Sequence, residues 1–235
     1  MMHSSNLESR APFFETLSEG ARGVLARLGS RRSYSVGDVL ISEGDHAQEV
    51  MVLQEGLVKV TGRLDGERLM DIRIAGDIVG EVAAVDLGPR SATVTACGDV
   101  VATVVPLGPL LADPEVSLAL FRVLCCRVRR SDRLRLEFGG YPVLVRLARV
   151  LVELAVSYGR QERNAVRIDV NLSQDEFAAL VGSTAHTVHK ALAQLRKDKL
   201  ITTGCRQTYV NDLARLRKIA RLSMPVAQRH GHKSQ

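Results

Sequence analysis

The sequence predicts an α+β chain in three parts: an N-terminal β-roll of jelly-roll character, one long helix, and a C-terminal winged helix-turn-helix. Three observations predict it. From Tyr34 to Val105, short β-branched runs alternate with turn pairs such as Gly37-Asp38, Glu55-Gly56, Asp65-Gly66, Gly76-Asp77 and Gly98-Asp99, the grammar of an antiparallel sandwich or barrel. Between Asp113-Pro114 and Gly139-Gly140 lies a helical stretch with no internal breaker. Near its end the chain carries two short apolar-faced segments that meet at Gly182. The three parts fall at residues 14–113, 114–138 and 141–222.

In order, residues 14–30 read as a helix, because Phe14, Leu17, Ala21, Val24, Leu25 and Leu28 recur at helical spacing. Strands are expected at Val50–Leu53, Leu57–Thr61, Leu69–Ile74, Ala92–Ala96 and Val100–Val105. Asp113 as N-cap and Pro114 at the first helical position open the long helix, and Gly139-Gly140 stops it after Phe138. Along it Phe121, Leu124, Val128, Ser131, Arg135 and Phe138 keep the heptad spacing of a two-helix seam. That seam predicts a homodimer; the alternative is packing on the chain's own β-domain. Helices follow at Val143–Tyr158, Gln174–Val181 and Thr184–Asp198. A strand pair, Leu200–Thr203 and Thr208–Val210, then flanks Gly204-Cys205-Arg206-Gln207, and Leu213–Leu222 forms the last helix.

Charge divides the chain. Residues 1–115 hold ten Lys and Arg against 17 Asp and Glu, a net of −7, whereas residues 116–235 hold 22 against nine, a net of +13. The split points to two modules, the second facing a polyanion; the alternative is a basic surface with no partner. Neither a secretory leader nor a membrane span is expected. The N-terminus is polar, and the most apolar stretch, Val143–Val156, is broken by Arg146, Arg149 and Glu153, well short of the ~20 apolar residues a span needs. Four cysteines at irregular spacing make no disulfide framework, so a cytoplasmic location is expected. Adjacent Cys125 and Cys126 read as small buried helix residues, with oxidant sensing as the alternative.

The two segments around Gly182 carry the DNA-reading signal. Ser173 and Glu176 form a capping box, Phe177, Ala178, Leu180 and Val181 give the buried face of the first helix, and Ser183 or Thr184 caps the second. Val188, Ala191, Leu192 and Leu195 face inward. Ala185, His186, Thr187, His189 and Lys190 face outward near the helix start, where a recognition helix meets base edges. Gln174, Thr184, and Arg206 and Gln207 in the wing complete the expected contacts with double-stranded DNA.

At this point the chain resembles the Crp/Fnr family of bacterial transcription regulators over residues 14–222. Leu40–Gly56 is similar to the glycine-spaced strands of a cyclic-nucleotide-binding roll. Gly80-Glu81-Val82 and Pro89-Arg90-Ser91-Ala92-Thr93-Val94 are similar to the family's phosphate-binding cassette, and the helix-turn-helix follows in the right order. The resemblance implies a cyclic-nucleotide effector, cyclic AMP before cyclic GMP. Arg90 would pair with the phosphate, Ser91 and the backbone near Ala92 would add donors, Glu81 would accept from the ribose 2′-hydroxyl, and Gly80 would allow close approach. Glu81 and Arg90 are expected to salt-bridge when the site is empty. Ser131-Asp132 matches the family's base-contacting pair, and Asp132 departs from it. Ala185-His186 and Lys190 depart from the Arg-Glu and Arg of the family's base readers, so the palindromic site should differ at those bases.

The resemblance further implies a dimer that reorients its DNA-binding domains about Phe138–Pro142 and contacts RNA polymerase. A roll that binds no nucleotide, or another effector, stays open. The iron–sulfur and haem versions lack ligands, since Cys97 is the first cysteine and His46 the sole histidine between residues 4 and 185. The remaining rival, a metal-dependent jelly-roll enzyme, needs a ligand cluster that this β-region lacks, so no catalytic residue is assigned.

Overall fold

A computed structural model describes residues 12–204 and 207–222. A 3₁₀ turn, Phe13–Thr16, precedes α1, Glu19–Leu28, whose N-cap Ser18 accepts from the Ala21 amide. The single helix expected over residues 14–30 is thus two pieces, and the chain is already in β1, Ser30–Tyr34, by its end. The roll continues through β2 (Val39–Ile41), β3 (Glu49–Glu55), β4 (Leu57–Arg63), β5 (Glu67–Ile74), β6 (Ile78–Val79), α2 (Glu81–Asp86), β7 (Thr93–Ala96), β8 (Val100–Pro106) and α3 (Leu107–Leu111). The strands form two four-stranded antiparallel sheets, in orders β1-β8-β3-β6 and β2-β7-β4-β5.

β3 shows why both sheets are needed. Its period of two sends Met51 and Leu53 into the inter-sheet core with Leu40, Val58 and Val94, and sends Val50 and Val52 to the opposite layer with Phe13, Leu25, Leu110 and Leu120. Both faces are buried, so the strand reads as a continuous apolar run.

The long helix α4 spans Pro114–Gly140, one half-turn beyond the expected stop. The Asp113 carboxylate caps it by accepting from the amides of Glu115 (2.9 Å) and Val116 (3.0 Å). Its N-terminal half packs on the roll through Val116, Ala119, Leu120 and Val123. Another face leaves Leu118, Phe121 and Val128 exposed in the single chain, together with Cys125 and Cys126. The expected burial of both cysteines is not met within the single chain. Phe138 also leaves the expected seam: its ring lies against Gly182 and under the Arg146 guanidinium, 5.4 Å from the ring centroid.

The C-terminal unit contains α5 (Val143–Tyr158), β9 (Gly159–Glu162), β10 (Ala165–Ile168), α6 (Gln174–Val181), α7 (Ala185–Lys197), β11 (Ile201–Thr203), β12 (Thr208–Val210) and α8 (Leu213–Ile219). Its sheet has four strands, β11-β12-β10-β9, rather than the expected pair. The core joins Leu147, Leu151 and Val152 of α5 to Phe177, Val181, Val188, Leu192 and Leu195. The arginines that interrupt α5 are ties. Arg149, 6% exposed, pairs with Glu137 (3.1 Å) and donates to the Ala220 carbonyl (2.9 Å), and Arg146 donates to the Gly182 carbonyl (3.3 Å). No described helix is long and apolar enough to cross a membrane.

Candidate functional site

Between the sheets and α4 lies a cleft of about 260 Å³. The cassette shapes one side. Gly80 has φ +83, and a Cβ there would lie 2.5 Å from the Arg90 guanidinium, so the position needs glycine both for its backbone and for space. Arg90 is 4% exposed, donating from Nη1 to the Gly80 carbonyl (2.6 Å) and from Nη2 to the Glu49 carbonyl (2.7 Å). Burial pushes its pKa below the usual arginine value, against the raising effect of Glu49 and Asp45. A guanidinium has five N–H donors, of which these bonds use two. Val82, Ser91 and Ala92 line the same cleft, as does Ser131 from α4. Asp132 does not: it is exposed and pairs with Arg135 at 3.2 Å.

Glu81 is 2% exposed, and its partner is Arg127 of α4, not Arg90 as expected. Arg127 also donates to the Ile78 carbonyl (2.6 Å). The reason is directional. Arg90 is turned onto two backbone carbonyls, while α4 brings a second guanidinium to the Glu81 carboxylate.

Sequence reasoning missed Arg127, Arg130, Asp71 and Arg73, all of which line the cleft. For α4 a signal existed: Arg127, Ser131 and Leu134 follow one another at helical spacing, so a cleft that holds Ser131 holds all three. The β5 residues had none beyond strand alternation. In the β4–β5 register Val58 faces Arg73, Lys59 faces Ile72 and Val60 faces Asp71, with a register shift beyond Val60. Asp71 and Arg73 therefore look into the cleft, and Ile72 looks the other way, into the core of the C-terminal unit.

A chain of contacts follows from that alternation. Lys59 Nζ meets Glu176 Oε1 at 2.5 Å, joining β4 to the first turn of α6. Tyr158 donates its hydroxyl to the Ile72 carbonyl (3.2 Å), and burial raises the pKa of that phenol well above its ordinary value. Arg130 pairs with Glu153 of α5 and lies 3.8 Å from Asp71. Arg130 is half-buried, which disfavours its charge, but Asp71 and Glu153 outweigh this and raise its pKa. The Asp71 carboxyl is likewise partly buried, and Arg73 with Arg130 more than offsets the desolvation, holding it below its ordinary range.

In the helix-turn-helix, Ser173 Oγ accepts from the Glu176 amide (3.2 Å) and Glu176 Oε2 from the Ser173 amide (2.7 Å), the expected capping box. Gly182 turns the chain at φ +60, and Thr184 caps α7 by accepting from the Thr187 amide (3.3 Å). His186, Thr187, His189 and Lys190 are exposed on α7 as expected. Ala185 is corrected: it is half-buried against the core. Thr187 Oγ1 lies 3.0 Å from Thr184 Oγ1, and His189 Nδ1 lies 3.2 Å from Gln174 Oε1. Gln207 is exposed and accepts from the Tyr209 hydroxyl (2.8 Å). Arg206 and Cys205 lie outside the described residues.

A ligand-sized cleft in a β-roll, backed by a long helix and followed by a winged helix-turn-helix, defines a DNA-binding transcription regulator with a cyclic nucleotide-binding domain. Residues 31–112 match the cyclic nucleotide-binding domain family and residues 145–219 the Crp-like helix-turn-helix domain family. The chain is 32% identical over 219 residues to a CRP-like cAMP-activated global transcriptional regulator of Mycobacterium tuberculosis, covering 91% of this chain and 98% of that one. It is 31% identical over 192 residues to the transcriptional regulator LdrP of Thermus thermophilus, covering 81% and 96%. Its fold is similar to that of a crystallised CRP/FNR-family regulator, also from Thermus thermophilus, with a TM-score of 0.72 at 25% identity over 82% of this chain and 98% of that one. The chain belongs to the Crp/Fnr family of transcription regulators.

Proposed function

We propose that this regulator works as a cytoplasmic homodimer whose binding to a palindromic DNA site is controlled by a cyclic nucleotide, cyclic AMP before cyclic GMP. Residues 14–113 would sense the effector, 114–138 dimerise and 141–222 read DNA. The carrying observation is the convergence of Gly80, Glu81, Arg90, Ser91 and Ser131 on one small cleft. Arg90 would hold the phosphate with its remaining N–H groups, and Glu81 would accept from the ribose hydroxyl. The exposed apolar stripe of α4 supports the dimer, since Leu118, Phe121 and Val128 would otherwise stay in water. Two recognition helices on a two-fold axis would then meet major grooves about 34 Å apart.

Control requires that the effector bind one arrangement better than another. Arg130 is placed for that role: it borders the cleft and pairs with Glu153 of the DNA-reading unit. Phe138–Pro142 would serve as the hinge, and RNA polymerase as the downstream partner. Calorimetric titration of cyclic AMP and cyclic GMP into wild type and Arg90→Ala tests the reading. Binding that weakens strongly in the variant is expected; equal heats refute the phosphate assignment.

A second reading rests on the Glu81–Arg127 pair. Arg127 already satisfies the Glu81 carboxylate, so the roll would need no nucleotide there and the dimer would bind DNA constitutively. DNA affinity unchanged by either nucleotide favours it.

A further inference from the structure

This inference rests on the DNA-reading role of α7 proposed above. Few polar groups on that face are free to read bases. The Thr184 and Thr187 hydroxyls lie 3.0 Å apart and Thr184 Oγ1 also accepts from the Thr187 amide, so both serve the cap. Ala185 packs half-buried. His186, His189 and Lys190 remain exposed, and a lysine ammonium can only donate.

His189 differs from the other two in having a partner that fixes its chemistry. Its Nδ1 lies 3.2 Å from Gln174 Oε1, and both side chains are exposed. An amide oxygen only accepts, so in this pairing Nδ1 would carry the proton. A neutral imidazole protonated at Nδ1 presents Nε2 as an acceptor. In the major groove, base-edge donors are the exocyclic amines, N4 of cytosine and N6 of adenine; guanine and thymine edges offer only acceptors there.

We propose that Gln174 and His189 form one reading unit, in which Gln174 sets the His189 tautomer and His189 selects an amino base, adenine or cytosine, at one position of each half-site. Gln174 acts as a positioning residue. His189 occupies the second turn of α7, one turn after His186 and next to Lys190, so the acceptor it supplies adds to the donor of Lys190 rather than duplicating it.

The test is selection from a random double-stranded DNA library at about pH 8, above the range where imidazole ordinarily titrates, with and without saturating cyclic AMP. Wild type is expected to enrich a palindrome in which one position per half-site favours amino over keto bases by about three- to tenfold, the value of one net hydrogen bond. His189→Ala should lose that preference and keep the rest of the palindrome. Gln174→Glu, whose carboxylate still accepts from Nδ1, should keep the preference at lower overall affinity, and Gln174→Ala should reduce it. The unit is refuted if His189→Ala enriches the wild-type sequence, or if Gln174→Glu reverses the preference to keto bases. If wild type enriches no sequence under either condition, the DNA-reading proposal itself fails.

Discussion

Gly182→Ala tests the junction between the long helix and the DNA-reading unit. Gly182 sits at φ +60, and a Cβ there would meet three carbons of the Phe138 ring at 3.0–3.1 Å. Placing alanine in the left-handed region costs about 1–2 kcal/mol, less roughly 0.4–1 kcal/mol because the unfolded chain also loses freedom. The ring must then yield by a few tenths of an ångström. Phe138 is 40% exposed, so this falls at the low end of overpacking, about 1 kcal/mol. The expected total is about 2 kcal/mol, or a fall in Tm of roughly 4–8 °C for a chain of this size. Urea and thermal unfolding of Gly182→Ala, Phe138→Ala and the double variant separate the parts. In the Phe138→Ala background only the backbone part should remain, giving a coupling near 1 kcal/mol. Costs that add within about 0.3–0.5 kcal/mol would refute the contact between ring and turn.

Three further outcomes are expected. Lys59→Met and Glu176→Gln should show a coupling near 1 kcal/mol in a double-mutant cycle of unfolding, between the values for exposed and buried pairs, because their side chains are 23% and 24% exposed; zero coupling removes the tie between roll and helix-turn-helix. Asp71→Asn should destabilise at neutral pH. Because the Asp71 carboxyl is held below its ordinary range, its contribution is complete above about pH 4 and is lost as pH falls through the depressed value, so the gap between variant and wild type should close in acid; a constant gap contradicts the charge pairing. Specific DNA affinity should fall steeply with salt, and Lys190→Ala should flatten that slope by about one unit if it meets a phosphate, with a parallel slope indicating base contact alone.

The local signals were legible where a side chain specifies its own neighbourhood. Asp113-Pro114 opened α4 at its true start, Ser173 with Glu176 and Gly182 bounded α6, and the β-branched runs located β4, β5, β7 and β8. Strands β9 and β10 were not legible, because Gly159–Glu162 is largely polar and β10 pairs through its backbone with β9 and β12. β1 escaped likewise: Ser30–Tyr34 is an edge strand of mostly exposed polar residues. In the cleft, Gly80, Glu81, Val82, Arg90, Ser91 and Ala92 were legible as one local motif. Arg127, Arg130, Asp71 and Arg73 were not, since only the packing of α4 against β5 brings them there. The same long-range packing replaced Arg90 with Arg127 as the partner of Glu81 and drew Phe138 away from the seam to Gly182.

Over residues 71–73 the alternation of β5 divides its evolutionary freedom. Asp71 and Arg73 border the ligand cleft, while Ile72 and Lys59 seat the DNA-reading unit. A substitution at Arg73 changes the lining of the cleft without touching the side chains that seat the DNA-reading unit, a change at Ile72 loosens docking without altering that lining, and Asp71 belongs to both sets because Arg130 joins it to Glu153. A one-residue slip in pairing would exchange the two sets and lose both at once. Divergence of effector chemistry along this strand is therefore open to point substitution and closed to single-residue insertion or deletion.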